Sequence, residues 1–430
     1  MLNSPLDFEK PIAALDDSIA EMRLLAADPG ARAEALSRSI DIDSEIMRLE
    51  SRREQLMQQI FSNLSPWNEV QMARHPQRPY SLDYIRLMFE DFVELHGDRT
   101  NADDPAIVGG LAKFEGMSVV VIGHQKGRDL KERQLRNFGS ARPSGFRKAL
   151  RLMKLAEKFG KPIIVLVDTP AAEANLMAEE EGISSAIAIN LREMVGLRVP
   201  IVVAVIGEGG SGGALGIAMG DRILMLEHAV YSVIPPESCA AIIWKDRARA
   251  SEAADALKLT ARHALEFTVV DEVLPEPLGG AHRDPGAMAA TLKQALARHL
   301  TALCKIASDD LTIARYQKFR RIGEWQDAAL AVVEGVSGAS VSIETAVPDP
   351  VVKKLAIGGS SAQTPLSDNR SSDNGANGAA EKSPTEKPLA GAISKTNGNG
   401  KQSLNGNHPV SEGNTTPGSR TKKLSPDSQE

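Results

Sequence analysis

The chain has 430 residues, of which 42% are hydrophobic and 25% are charged, so it is long enough to bury a sizeable core. Its net charge of −6 argues against a nucleic-acid-binding protein, and its two cysteines are too few for a disulfide framework or a four-thiolate zinc site. No uninterrupted apolar run approaches the length of a membrane span, and the first residues show neither a secretory nor a transit pattern. We therefore expect a cytoplasmic protein.

Residues 1–80 predict a helical arm. Apolar residues recur at helical spacing from Ile42 to Ile60, with Arg, Glu and Gln between them, and residues 2–61 are predicted to be helical. Such an arm could cap its own domain or pair with another chain, and the pattern does not separate the two. A turn-rich stretch follows, after which residues 82–94 predict a further helix.

Residues 81–325 predict an α/β domain in which short apolar strands alternate with helices. Strands at 162–168 and 200–206 are continuously apolar, which indicates burial on both faces. The remaining predicted strands are 107–114, 117–125, 223–226 and 230–234, and the predicted helices are 144–159, 183–195, 214–219, 251–257, 284–303 and 311–321. Repeated strand–strand–helix units favour a superhelical core over a doubly wound sheet, although periodicity alone does not separate these two.

The end of the chain has a different composition. After residue 358 it is dominated by Ser, Asn, Gly, Thr, Pro and Lys, with almost nothing apolar to bury, which predicts a disordered tail over 358–430. Residues 326–357 are intermediate in composition, and we treat them as an extension of unassigned structure.

The strongest chemical signal is the glycine-rich run from Gly207 to Gly213, between a buried strand and a helix. Glycines let the backbone approach a ligand closely, and the N–H groups that begin a helix can stabilise an oxyanion. A dinucleotide fingerprint is disfavoured because no acidic strand end follows at the expected spacing, and a phosphate loop because no Lys-Ser/Thr pair follows Gly213. The alternative is a turn needed only for helix–strand packing.

A second signal is the basic run from Lys126 to Lys158, which contains eleven cationic residues and three acidic ones. In a chain that is acidic overall, this concentration indicates an anionic partner, such as a phosphorylated cofactor or an acidic protein surface. A solvated helix face is the alternative, and it accounts less well for the loop-like portion from Lys126 to Pro143.

Several longer motifs resemble one known family. The stretches DFEKPIAALD, ARHPQRPYSLDYI, GHQKGRDLKE, RNFG, GEGGSGGA, YSVIPPESCAAIIWK and PEPLGGAHRDP are similar to bacterial and plastid acetyl-CoA carboxylase carboxyltransferase α subunits. The resemblance runs from Leu6 to Phe319 and implies an α/β, crotonase-like superhelix of ββα units. It also implies an α2β2 assembly with a zinc-bearing β subunit, so that this chain binds no metal, together with a biotin carboxyl carrier protein and biotin carboxylase.

By this resemblance the chain transfers a carboxyl group from carboxybiotin to acetyl-CoA and forms malonyl-CoA. The enzyme then needs to position two substrates and stabilise two oxyanions, which backbone N–H groups can do. Gly212 and Gly213 match the family's donor pair, with Gly209 and Gly210 shaping the loop. Lys126, Arg128 and Arg147 are expected near biotin, its carrier or the CoA phosphates.

The resemblance weakens at residues 171–177, because the family usually places a Gly-Ala-Tyr-Pro-Gly loop there. Here Ala171-Ala172-Glu173-Ala174-Asn175-Leu176-Met177 has no glycine, aromatic residue or proline. The chain could be a tolerated variant, a form with altered acyl-CoA or inhibitor specificity, or a weakly active paralogue. Two further hypotheses are a stand-alone acyl-CoA hydratase or hydrolase using Glu208 and Glu237, and a non-enzymatic scaffold.

Overall fold

The computed structural model describes residues 5–37 and 41–323, which all lie within one compact unit. The predicted extension at 326–357 and the predicted disordered tail at 358–430 lie outside these residues.

The N-terminal arm consists of several helices rather than one long helical stretch. Helix α1 (Lys10–Ala27) ends at Asp28, helix α2 (Pro29–Ser37) follows, and helix α3 (Ile42–Phe61) begins where the Asp41 side chain accepts a hydrogen bond from the Asp43 N–H. Capping by a side chain in this way satisfies a donor that the helix leaves unpaired.

The arm is joined to the rest of the chain by helix α4 (Pro66–Ala73), which sequence reasoning missed. Ile12 of α1 and Phe61 of α3 pack with Met72 of α4 in a small buried apolar cluster. The arm therefore packs on its own chain, as one of the two predicted roles requires. The domain boundary near residue 80 stays a prediction.

The single helix predicted for residues 82–94 is wrong. Helix α5 (Ser81–Met88) ends at Phe89, whose backbone is extended, and strand β1 (Glu90–Glu94) follows. Strand β1 pairs antiparallel with strand β2 (Ile107–Phe114), so tertiary pairing overrides the helical pattern in these residues.

One eight-stranded mixed sheet forms the core, in the order β1-β2-β3-β4-β5-β6-β8, with β7 paired to β5. Strands β1 to β3 are antiparallel, and the pairs from β3 to β8 are parallel. The remaining strands are β3 (Met117–His124), β4 (Ile163–Thr169), β5 (Ile201–Gly210), β6 (Arg222–Leu226), β7 (Val230–Ser232) and β8 (Glu272–Leu274). Every residue of β4 and β5 is buried, which confirms that these two strands are covered on both faces.

Helices cover the sheet, and most of the predicted ones are confirmed. These are α7 (Pro143–Lys158), α9 (Ile183–Gly196), α12 (Ala250–Leu257), α14 (Pro285–Leu303) and α15 (Ser308–Arg321). Sequence reasoning missed α6 (Leu130–Leu135), α8 (Leu176–Glu180), α11 (Pro236–Trp244) and α13 (Ala261–Glu266). The β2–β3 hairpin is followed by α6 and α7, and strands β6 and β7 are followed by α11, so strands and helices alternate and the predicted α/β class is confirmed.

Candidate active site

The glycine-rich run is not a loop, which corrects the prediction for residues 207–213. Strand β5 continues through Gly210, and helix α10 (Ser211–Leu215) begins at the next residue, three residues before the predicted helix. Residues 208–210 pair with β7, and Gly209 also lies opposite Thr169 of β4. Pairing on both sides extends the strand, so its glycine end lies beside the carboxyl end of β4.

The glycines at this strand end are required by close neighbours. A Cβ added at Gly209 would lie 2.6 Å from the Tyr231 ring, and one added at Gly210 would lie 1.9 Å from the Pro170 carbonyl oxygen. A side chain at Gly210 would collide with backbone, and one at Gly209 would force the Tyr231 ring to move. Gly209 and Gly210 therefore allow three strands to meet closely, as the packing alternative also predicts.

The two predicted oxyanion donors, Gly212 and Gly213, lie in the first turn of α10. Ser211 precedes them with a φ of 51°, which turns the chain from the strand into the helix. N–H groups in the first turn of a helix have no acceptor inside that helix, and the role of these two as oxyanion donors stays a prediction.

The surroundings of these two glycines differ. A Cβ at Gly213 would lie 2.5 Å from the backbone of both Ala171 and Ala172, so this glycine is buried beneath the loop that follows β4. A Cβ at Gly212 would meet only the Ile187 Cδ1 atom, at 3.4 Å, which is ordinary contact. Only Gly212 has space for a side chain.

A small cleft lies at the carboxyl ends of β4, β5 and β7. Its lining includes Gly209 and Gly210 but neither Gly212 nor Gly213, so the predicted glycines fall on two sides of the strand–helix junction. The lining residues are Val70, Arg74, Pro170, Glu208, Gly209, Gly210, Val230, Ser232, Ile234, Pro235, Pro236 and Leu259. Ligand sites of parallel sheets gather at this edge.

Buried charges surround the end of β5. The Lys126 ammonium lies 2.7 Å from an Asp168 carboxylate oxygen and 2.8 Å from Glu208 Oε2. The other Glu208 oxygen accepts a hydrogen bond from Arg74 Nε at 2.6 Å, and the Glu208 N–H donates to Asp168 Oδ1 at 2.9 Å. This charged cluster of Arg74, Lys126, Asp168 and Glu208 holds the strand end through the side chain and the N–H of Glu208.

The cluster controls the protonation of Glu208. Burial acts to raise the pKa of its carboxyl, but Lys126 and Arg74 outweigh burial and lower that pKa to about 2. Burial acts to lower the pKa of Lys126, and its two carboxylate partners raise that pKa instead. Both groups are therefore charged at neutral pH.

Glu237, the second acid of the hydratase hypothesis, also pairs with Arg74, whose NH1 lies 2.5 Å from its carboxylate. A general acid must hold a proton at the working pH, and the lowered pKa of Glu208 prevents this. The two carboxylates share the Arg74 guanidinium, and the ionised Glu208 cannot be the general acid of the hydratase hypothesis.

The basic residues predicted to contact ligands lie in ion pairs within the chain. Arg128 donates to the carbonyl oxygens of Pro76 and Arg78, both at 3.0 Å, and pairs with Asp83. Arg147 lies 2.8 Å from Asp98. Their partners satisfy much of their hydrogen-bonding capacity, and contact with biotin or CoA phosphates stays a prediction for Lys126, Arg128 and Arg147.

Sequence reasoning missed two arginines that precede α5. Arg74 belongs to the charged cluster, and Arg78 donates from Nε to the Ile206 carbonyl oxygen at 2.7 Å while its NH1 lies 2.9 Å from a Glu276 carboxylate oxygen. The motif ARHPQRP contains both residues, but their partners lie more than 120 positions away in the chain. Local sequence carries no signal for such pairs.

His124 is fully buried beside this cluster. Neither ring nitrogen has a hydrogen-bond partner within the described ranges. Burial first, and then the Lys126 charge, lowers the pKa of His124 to about 3, while the Gly213 backbone acts in the opposite direction. The imidazole is therefore neutral at physiological pH.

Residues 5–37 and 41–323 contain neither a candidate metal site nor a candidate membrane span. No group of three or more His, Cys, Asp or Glu residues there is arranged to hold a metal ion. In the same residues, no helix combines the length and the apolar character that crossing a membrane requires.

Comparison with known proteins identifies the family. Residues 5–323 match the family described as acetyl co-enzyme A carboxylase carboxyltransferase-like. The acetyl-coenzyme A carboxylase carboxyl transferase subunit α of Geobacter metallireducens is 52% identical over 322 residues, which cover 75% of this chain and 98% of the relative. The subunit α of Synechococcus elongatus is 51% identical over 324 residues, or 75% and 96% of the two chains.

Among solved structures, transcarboxylase 12S has a TM-score of 0.42 and 21% identity, over 51% of this chain and 41% of that one. The family match agrees with the motifs in the sequence. So does the high identity to the two α subunits, which are covered over almost their whole length. The chain therefore belongs to the acetyl-coenzyme A carboxylase carboxyltransferase family, and the relatives that it resembles there are α subunits.

Proposed function

We propose that this chain is the α subunit of a biotin-dependent acetyl-CoA carboxyltransferase. It transfers the carboxyl group of carboxybiotin, held on a biotin carboxyl carrier protein, to acetyl-CoA and forms malonyl-CoA, the first committed step of fatty acid synthesis. It acts in the cytoplasm with a zinc-bearing β subunit in an α2β2 heterotetramer, beside biotin carboxylase. The observation that carries the proposal is the glycine strand end and helix α10 in a chain of this family.

The chemistry needs few side chains. Carboxybiotin supplies CO2 and, once the N–C bond has broken, a basic ureido nitrogen that takes the α-proton of acetyl-CoA. The enolate carbon then forms the new bond to CO2, and negative charge passes through the ureido and enolate oxygens. The chain's task is to donate hydrogen bonds to the developing charge, which preorganised backbone N–H groups do without reorganising.

In this proposal Gly212 and Gly213 supply those donors from the first turn of α10, on the biotin side. The charged cluster holds the preceding strand end in place, because Glu208 is bonded through both its carboxylate and its N–H. Gly209 and Gly210 bring β5 against Pro170 and Tyr231. A fixed donor geometry matters because a displacement of about 1 Å can cost roughly 10²-fold in rate.

Carboxyl transfer between malonyl-CoA and free biocytin tests the proposal, with the chain alone and then with its β subunit. We expect activity only in the mixture. A stable complex without activity would indicate a non-catalytic scaffold, and activity of the chain alone on acyl-CoA would favour the hydratase or hydrolase hypothesis. Replacing malonyl-CoA by methylmalonyl-CoA then measures whether acyl-CoA specificity is altered.

The two donor glycines provide a sharper test. Gly212→Ala fits the fold, so we expect unchanged thermal stability but about 10²-fold slower transfer, because the methyl group obstructs approach to the N–H donors. Gly213→Ala must displace the Ala171–Ala172 backbone, so it should also lower the free energy of unfolding by about 1–3 kcal/mol. Full activity of a folded Gly212→Ala complex would rule out this donor role.

A further inference from the structure

The loop that follows β4 contains no glycine, yet its backbone lies directly over Gly213. Ala171 and Ala172 approach the Gly213 Cα so closely that any Cβ there would lie 2.5 Å from them. Hydrogen bonds hold the loop in this position. Thr169 contributes one hydrogen bond, from its hydroxyl to the Ala171 carbonyl oxygen at 2.8 Å.

The next residue, Glu173, makes most of the other contacts that hold this loop. Its side chain is only 13% exposed. Oε2 accepts hydrogen bonds from Asn137 Nδ2 at 2.6 Å and Arg142 Nε at 3.0 Å, and Oε1 accepts one from Asn175 Nδ2 at 2.6 Å. The Glu173 N–H donates to the Ala141 carbonyl oxygen at 2.9 Å.

Glu173 thereby contacts a turn with unusual backbone geometry. Asn137, Phe138 and Gly139 have φ values of 46°, 55° and 83°, so three successive residues are in the left-handed region. Asn and Gly tolerate this conformation, but a phenylalanine there is strained and needs support from its surroundings. The Asn137 side chain, bonded to both Glu173 and the Ser140 carbonyl oxygen, supplies such support.

The strained turn in turn contacts the charged cluster. A Cβ at Gly139 would lie 2.8 Å from Lys126 Cγ and 3.4 Å from the Asp168 carbonyl oxygen. Displacing the turn therefore displaces Lys126, which holds Glu208 at the end of β5. Glu173 thus lies between the loop over Gly213 on one side and the turn against Lys126 on the other.

We infer that Glu173 is a positioning residue for the donor glycines, because it holds the Ala171–Ala172 backbone and the Asn137–Gly139 turn in one arrangement. The inference rests on the proposed function. In the divergent loop at 171–177, the Glu173 carboxylate would then hold the backbone of Ala171 and Ala172 in place over Gly213.

Backbone hydrogen–deuterium exchange of the isolated chain tests these contacts without any assay of activity. Glu173→Ala should speed the exchange of residues 137–142 by about 10-fold or more, because local opening becomes easier. Asn137→Gly keeps the left-handed backbone but removes the donor, so it should have the same effect. Glu180→Ala, which removes an exposed carboxylate with no partner among the described residues, is the matched control and should leave exchange unchanged.

Kinetics of the complex with the β subunit test the positioning role. We expect Glu173→Ala to lower kcat with biocytin by about 10-fold while the KM for malonyl-CoA stays unchanged, because the displaced donors stabilise the developing charge less well. Glu173→Gln should restore most of the loss, since its amide oxygen still accepts from Asn137.

Two results would overturn the inference: exchange of residues 137–142 at the wild-type rate in Glu173→Ala, or faster exchange with an unchanged kcat for biocytin. An inactive wild-type complex is a different outcome, because it contradicts the proposed function while the exchange measurements still decide whether Glu173 holds the turn.

Discussion

Among the arginines of the first 80 residues that pair with glutamates, Arg23 and Arg78 form pairs that differ in almost every other respect. Arg23 in α1 reaches Glu50 in α3 at 2.5 Å, but their side chains are 65% and 34% exposed. Arg78 pairs with Glu276, and their side chains are 1% and 0% exposed. If Glu50 is removed, water can solvate the Arg23 guanidinium. If Glu276 is removed, the buried Arg78 guanidinium is left without a counter-charge.

The difference separates the N-terminal region into two parts. Helices α1 to α3 carry surface ion pairs, whereas Arg74 and Arg78 reach the end of β5 and its Ile206 carbonyl oxygen. The contribution of an arginine–glutamate pair to the free energy of unfolding therefore cannot be inferred from sequence, because it depends on how deeply the pair is buried. The segment from α4 to Arg78 belongs with the sheet.

The largest expected effect comes from removing Arg78. Arg78→Ala leaves the Glu276 carboxylate buried without its cation and the Ile206 carbonyl without its donor. We expect the free energy of unfolding to fall by about 3–5 kcal/mol, the usual loss when one partner of a buried pair is removed. Urea denaturation measures this loss, and a fall below about 1 kcal/mol would show that the pair behaves like a surface pair.

An intermediate effect should depend on pH and arises from Glu208. The pKa of its carboxyl is lower in the folded chain than the ordinary value of 4.5, so its ionisation contributes stability above about pH 4.5. This contribution, on the order of 3 kcal/mol, is lost as the pH falls from about 4.5 towards the folded value of about 2.

Glu208→Gln cannot ionise and provides the reference. The difference in unfolding free energy between wild type and Glu208→Gln should be largest near pH 7 and should shrink as the pH falls below about 4.5. Denaturant titrations of both proteins at a series of pH values measure it. A difference that stays constant across this range would mean that Glu208 is not held ionised by Lys126 and Arg74.

The smallest effect is expected for Arg23→Ala. Its pair with Glu50 is exposed, so we expect a change in unfolding free energy of less than about 1 kcal/mol that disappears at high salt. The same denaturation assay serves for Arg78→Ala, and Arg23→Ala is its matched control. A loss as large as that of Arg78→Ala would erase the distinction between the two parts of the arm.

Sequence patterns predict the elements of this fold well where hydrophobic periodicity decides them. Strands β4 and β5 and helices α7 and α14 lie within a few residues of their predicted bounds. The patterns fail where pairing between distant strands determines the structure. Residues 90–94 form an edge strand because they pair with β2. The patterns fail again at 208–210, where β7 extends β5 beyond its apolar residues.

The site shows the same division. Glycine content correctly marks the strand–helix junction, because small residues are needed wherever backbones meet closely. Neither the pairing of Lys126 with Asp168 and Glu208 nor the burial of Gly213 beneath Ala171 could be predicted. Each depends on residues brought together by the fold from separate stretches of chain.

The pair between Arg78 and Glu276 can form only late during synthesis of the chain. Its partners are 198 positions apart, so the ribosome releases the arginine long before the glutamate exists. Contacts of such long range form late, after the intervening chain has collapsed. Until residue 276 has emerged, the Ile206 carbonyl and the glycine strand end lack their final support. A nascent chain that stops short of β8 therefore has the charged cluster but lacks the carboxylate that pairs with Arg78, so the support of Ile206 is completed only after β8 has been made.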